Sequence, residues 1–232
     1  MPSVISTSPA TRRQNRWIFS ERTGKITVKK FSLHGKKPLP AGDTVIMAGD
    51  ISWATHLEDA LSDLKTLSAL PGRKIIVRGN HDYWWNTVSK MKRMTDNAFE
   101  FIFNSALSVE NIALAGTRGW IPETSKKITE EDKVIILREQ GRLERSLIEA
   151  EKFNCEKIFA ILHYPPFDEQ RRPTKMMEIM KSHGVTDCIY GHIHGKQNFN
   201  NLPKELEGIQ LHLTSSDYLD FKPLLLTEWN ES

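Results

Sequence analysis

A layered α/β fold is what this chain predicts, and three observations carry the prediction. Short apolar, β-branched runs recur along it, amphipathic stretches of helical spacing separate them, and several runs end in Gly-rich blocks holding Asp, Asn or His. In order, Thr44 to Ala48 reads as a buried strand, and residues 55–70 read as a helix, with apolar positions at Leu57, Ala60, Leu61, Leu64 and Leu67 and a stop at Pro71-Gly72. Lys74 to Arg78 is the next strand, residues 84–94 a weaker helix, and Asn111 to Ala115 a strand. Glu130 to Phe153 forms a long amphipathic helix interrupted only by Gly141. Ile158 to Leu162, Asp187 to Tyr190, Gln210 to Thr214 and Leu224 to Thr227 complete the strands.

At 232 residues the chain suffices for one sizeable domain. No apolar stretch approaches a membrane span, and no charged-then-apolar start marks a signal peptide. Cys155 and Cys188 show no disulfide or metal spacing, and Cys188 sits inside an apolar strand, so a reducing, cytoplasmic setting is expected. The net charge of +3 is unevenly spread. Residues 1–40 hold nine Lys and Arg against Glu21, a net +8 that leaves −5 for the remainder. Such an acidic body is a poor match for long nucleic acid but compatible with a small phosphorylated substrate.

The strand ends carry Gly49-Asp50, Gly79-Asn80-His81-Asp82, His163 and Gly191-His192-Ile193-His194. Ligands at the C-terminal ends of such strands can converge on one crevice. Carboxylate, carboxamide and imidazole together suit manganese, iron or zinc rather than calcium. Each block has a bland alternative: a capping aspartate for Asp50, a locally satisfied turn for Asn80 and His81, a structural imidazole for His163.

In this order, the blocks resemble the motif series of the calcineurin-like metallophosphoesterases, over roughly residues 41–228. Gly49 to Ala54, Asn80 to Trp85 and Gly116 to Trp120 are similar to a small bacterial subgroup of predicted phosphohydrolases. The resemblance implies a four-layer α-β-β-α sandwich of two mixed sheets flanked by helices. It also implies a metal-dependent phosphohydrolase that uses metal-activated water on a small phosphomonoester or phosphodiester. The cofactors implied are two divalent ions, drawn from manganese, iron, zinc, magnesium or cobalt. Asp50 bridges them, Asn80, His163 and His192 serve one, and His194 serves the other. His81 is the non-ligand catalytic histidine, with Asp82 orienting its ring. Arg118, Tyr83 and Trp84 are candidates for substrate contact, against ordinary packing. His34, His56, His183 and His212 have no partner at ligand spacing and read as surface or satisfied core groups.

The family's opening Asp-x-His is missing from residues 1–48, which show no clear strand periodicity. Codons compatible with Met1 to Lys37, read from the third base of each, can encode Ala-Ile-Ser-Asp-Leu-His-Leu-Ser, which contains the absent motif. Residues 1–40 are therefore read as an aberrant N-terminus, disordered or translated in the wrong frame, ahead of the domain at 41–232. The sheet beside Asp50 is expected to lack the strand that delivers Asp-x-His. With that motif gone the chain is expected to hold only one ion tightly. The alternative function is an inactive or weakly active single-metal pseudo-enzyme; a nuclease of the same superfamily is disfavoured by the acidic body.

Overall fold

The computed structural model describes residues 14–19 and 42–229, the first segment and 227–229 by backbone alone. In chain order the strands are β1 (Gln14–Phe19), β2 (Thr44–Met47), β3 (Arg73–Val77), β4 (Glu100–Ile102), β5 (Ala106–Val109), β6 (Ile112–Thr117), β7 (Lys157–Leu162), β8 (Val185–Tyr190), β9 (Glu205–Leu206), β10 (Ile209–Leu213) and β11 (Leu224–Trp229). The helices are α1 (Leu57–Ser68), α2 (Val88–Met94), α3 (Glu130–Glu151) and α4 (Lys175–Ser182). One sheet has the order β11-β1-β2-β3-β4, the other β5-β6-β7-β8-β10-β9. Both are mixed, since β11 runs antiparallel to β1, and β5 and β9 run antiparallel to β6 and β10, around parallel centres.

Period-two burial sorts the apolar side chains into three layers. Ile46, Ala48, Ile75 and Val77 of the first sheet meet Leu114, Phe159, Ile161 and Ile189 of the second between the sheets. Their neighbours Val45, Met47 and Ile76 face outward onto Leu57, Ala60 and Leu64 of α1 and Met91 of α2. On the far side Ala113, Ala115, Ala160, Leu162 and Cys188 pack under Leu143 and Leu147 of α3 and Met177 and Met180 of α4. The result is the four-layer sandwich of two mixed sheets between helices. Small alanines lie under α3 because helix and sheet there approach closely.

Helix ends follow local chemistry. Thr129 and Asp132 form a reciprocal capping box at the start of α3, with Glu130 and Glu131 on the positive end of its dipole. The helix α4 and the short strands β4, β5 and β9 are additional to the sequence reading. Two to eight residues carry too little periodicity to be separated from loop without their packing partners.

A strand does stand beside β2, contrary to the expectation of a gap. Gln14–Phe19 runs parallel to it, with Trp17 opposite Val45 and Ile18 opposite Ile46. An unpaired edge of β2 offers a row of N–H and C=O groups, and Trp17-Ile18-Phe19 has the β propensity to take them. The remainder of 1–40, and with it the disorder or frame expectation, lies outside the described residues. No helix among the described residues is long and apolar enough to cross a membrane.

Candidate active site

The site forms where the parallel strands β2, β3, β7 and β8 end. Gly49 and Gly79 let two of these loops touch. A Cβ on Gly49 would stand 2.6 Å from the Gly79 backbone, and one on Gly79 would stand 2.1 Å from Asp50 Oδ1, so neither position has room for a side chain. Asp50 (φ 59°) and His192 (φ 67°) are both held in the left-handed region. Strained backbone at two converging polar side chains persists only where the surroundings enforce it. The chain turns sharply at His192, with Ile193 N–H donating to the Gly191 carbonyl at 2.8 Å.

Asp50, Asn80, His163 and His192 come together. His163 Nε2 lies 2.6 Å from Asn80 Oδ1, 3.4 Å from Asp50 Oδ2 and 3.2 Å from His192 Nδ1, and that nitrogen lies 3.1 Å from Asn80 Oδ1. His163 is fully buried, and its Nδ1 lies 2.8 Å from the Ala48 carbonyl. A carbonyl can only accept, so Nδ1 carries the proton and Nε2 presents a lone pair. Burial holds the His163 imidazole neutral, its pKa lowered to about 3, and does the same to His192. Burial also raises the Asp50 carboxyl above its ordinary value, against the N–H of His81.

Lone pairs of a carboxylate, a carboxamide and an imidazole thus face one another with too few protons between them. Donor atoms sharing one cation at about 2.0–2.2 Å lie about 3 Å apart, which is the spacing found. Carboxylates, thiols and imidazoles alone do not complete a metal-holding group of three among the described residues. Asn80 is the hub, and the donor set fits a divalent ion only when its carboxamide is included.

His194 stands apart from this cluster. Its Nδ1 lies 2.7 Å from Asp217 Oδ1, while Asp217 Oδ2 accepts the Gly195 N–H at 2.8 Å. Its Nε2 is buried with no hydrogen-bond partner among the described residues, as are the hydroxyls of Ser215 and Ser216. An orphaned imidazole nitrogen, with the opposite nitrogen fixed by a carboxylate, has the form of a metal ligand supported from behind. Asp217 escapes sequence reasoning because it lies 23 residues beyond His194 in a turn without a motif of its own.

The expected role of Asp82 is corrected. Its carboxylate is fully buried and accepts five N–H groups: Asp50 (2.9 Å) and Gly79 (2.7 Å) on Oδ2, and Ile51 (2.8 Å), Ser52 (3.2 Å) and the Trp84 indole (2.9 Å) on Oδ1. It ties two ligand-bearing loops together and makes no bond to the His81 ring. Burial, then the charge of Asp50, pushes it up to about 6, while three of these amides pull the other way. The His81 ring is held instead by Trp53, stacked at 4.2 Å and 8° between planes, with Tyr83 edge-on at 6.1 Å. The His81 amide donates to Asp50 Oδ1 at 2.9 Å.

One substrate candidate is corrected as well. Trp84 is 1% exposed, within the core under α1 and α2, and its one polar atom serves Asp82. The Arg118 guanidinium lies over the Trp120 ring at 4.3 Å and donates to buried Glu139 at 3.5 Å. Tyr83 remains exposed beside His81. Asp50, His81, His192 and His194 open onto a cavity of about 800 Å³ whose walls include Trp53, Phe167 and Arg171. His183 and His212 are paired with Glu151 and Asp187, as structural imidazoles are.

Solved structures of similar fold include phosphopantetheinyl hydrolase from Mycobacterium tuberculosis, at 14% identity over 91% of this chain and 92% of that one, with a TM-score of 0.57. The protein TT1561 of Thermus thermophilus is 12% identical over 94% of this chain and 99% of its own, with a TM-score of 0.62. At such identities the likeness concerns the fold alone. No curated protein matches the chain. Residues 25–196, well over half its length, match the calcineurin-like phosphoesterases. With strand-end donors converging between two sheets and that match along most of its domain, the chain belongs to the calcineurin-like phosphoesterase family, hydrolases of phosphoester bonds.

Proposed function

We propose that the chain hydrolyses a small phosphomonoester or phosphodiester with the help of divalent metal ions. One observation carries the reading: the acceptor-rich meeting of Asp50, Asn80, His163 and His192 at the base of a cavity large enough for an organic phosphate. Those four side chains would hold one ion, and Asp50 with His194 would contribute to a second. Such ions supply Lewis-acid polarisation of phosphoryl oxygens and lower the pKa of water. Asn80 contributes an oxygen without adding negative charge that would repel a phosphate. Asp82 fixes the backbone on both sides of Asp50 and Asn80 through its five N–H partners, so the donors are held in place before substrate arrives. His81 borders the cavity with its ring plane set by Trp53, placed to hold a phosphoryl oxygen and to give a proton to the departing oxygen.

The acidic body favours a small phosphorylated substrate over long nucleic acid, and the free thiols of Cys155 and Cys188 suit a reducing cytosol. A single-metal form of low activity is the second reading. It is favoured by the absence of Asp-x-His, which leaves Asp50 and His194 as the ligands in hand for the second ion. Both readings are tested by metal analysis of the purified chain after equilibration with manganese, alongside hydrolysis of a nitrophenyl phosphate. Two ions per chain with turnover support the first, and one ion with slow turnover supports the second. No bound metal in a folded chain defeats both.

A further inference from the structure

One turn lining the cavity is braced far more heavily than an exposed loop requires. Asp168, 2% exposed, anchors it. Its Oδ1 accepts the amides of Gln170 and Arg172, each at 2.9 Å, and its Oδ2 accepts Arg172 Nε at 2.8 Å and the Thr124 hydroxyl at 3.2 Å. Its carbonyl accepts the Arg171 amide at 2.9 Å, and its own amide donates to the Arg172 carbonyl at 3.0 Å. Phe167 and Pro173 close the base as a β-bridge. Arg172 neutralises Asp168. Arg171, between them, is forced to φ 64°.

The guanidinium of Arg171 lies 5.4 Å over the ring of Phe167, itself 1% exposed. Arg171 is the one Arg or Lys among the described residues lining the cavity. None of the described residues accepts a hydrogen bond or ion pair from its side chain, and Glu169 on the same wall is not within ion-pair distance. A charge held by a strained, braced turn, stacked on a buried ring and left unpaired, is preorganised for a ligand rather than for stability. Its planar fork suits a carboxylate or phosphate. A bare phosphate beside Asp50 and His81 would fill only a small part of the 800 Å³.

We propose that Arg171 anchors a second anionic group, so that the substrate is a small organic phosphoester carrying a further carboxylate or phosphate away from the scissile one. This rests on the phosphohydrolase reading above. The test uses the full chain equilibrated with manganese and two sets of probes. Phenylphosphonate, 4-carboxyphenylphosphonate and 1,4-phenylenebisphosphonate report binding by calorimetry, and the corresponding phosphate esters report turnover. The parent chain is expected to bind one or both doubly anionic phosphonates at least about tenfold more tightly than phenylphosphonate. Which of the two it prefers identifies the second group. Arg171→Gln should erase the preference and Arg171→Lys should keep part of it. Arg171→Asn, whose side chain tolerates a left-handed backbone, serves as a second neutral variant. An equal preference in the neutral variants, or no preference in the parent chain, overturns the inference while leaving phosphohydrolase activity standing. If the folded, manganese-equilibrated chain binds no phosphonate and hydrolyses no ester, the phosphohydrolase reading falls and takes the inference with it.

Discussion

Replacing Asp82 by Asn tests whether this residue is the clamp between the two ligand loops. The side chain keeps its shape but has one acceptor oxygen in place of two. The less costly orientation keeps that oxygen on the Oδ1 side, where it retains Ile51, Ser52 and the Trp84 indole. The new NH₂ then points at the amides of Asp50 and Gly79, which had shared Oδ2. Two buried N–H groups lose their acceptor, at about 1–3 kcal/mol each, or roughly 2–6 kcal/mol in total. For a domain of this length that lowers the melting temperature by roughly 5–20 °C. Thermal unfolding of the metal-free protein, followed by far-ultraviolet circular dichroism, provides the measurement. The loosened loops should also weaken manganese binding. If Asp82 acted on the His81 ring, as the sequence predicts, Asp82→Asn would match His81→Ala in turnover and melt like the parent. A melting temperature within about 2 °C of the parent would refute the clamp.

Further expectations are narrower. His81→Ala should lower turnover of a nitrophenyl phosphate by about 10²–10⁴-fold with metal content unchanged; loss of metal would make His81 a ligand or a structural residue. Asp217→Asn should weaken binding at the His194 side by about 10–100-fold, seen as a lower manganese stoichiometry at limiting metal; unchanged binding isotherms would remove Asp217 from the site. Burial, then Asp187, raises the Cys188 thiol above its ordinary 9.0. The buried thiol therefore keeps its proton where the unfolded chain releases it, so its contribution is intact below about pH 9 and lost as pH rises further, at about 1.4 kcal/mol per unit. Cys188→Ala should flatten that alkaline decline in the denaturant midpoint, and an unchanged slope between about pH 8.5 and 10.5 would assign the decline to other groups.

The strands and the long helices were legible because burial on one face writes a period of two or 3.6 into the sequence, as in Thr44–Met47, Leu57–Ser68 and Glu130–Glu151. The blocks at Asp50, Asn80, His163 and His192 were legible because glycines and strand ends leave a local signature. What each polar group does was not, since hydrogen-bond partners are chosen by distance in space. Asp82 lies beside His81 in the chain, yet its oxygens point to amides of residues 50–52 and 79 and an indole. Trp53, far earlier in the chain, takes the imidazole face. Trp84 reads like its neighbour Tyr83, but it is buried in the apolar cluster between the first sheet and its helices. Asp217 and Arg171 carry no motif at all. One is tied to His194 by the return of the chain after β10, and the other is lifted into the cavity by a turn wound around Asp168. The sequence by itself determined the layers and the donor types; only the packing of two sheets against each other decided which donors meet, because convergence across loops is a property of three-dimensional distance.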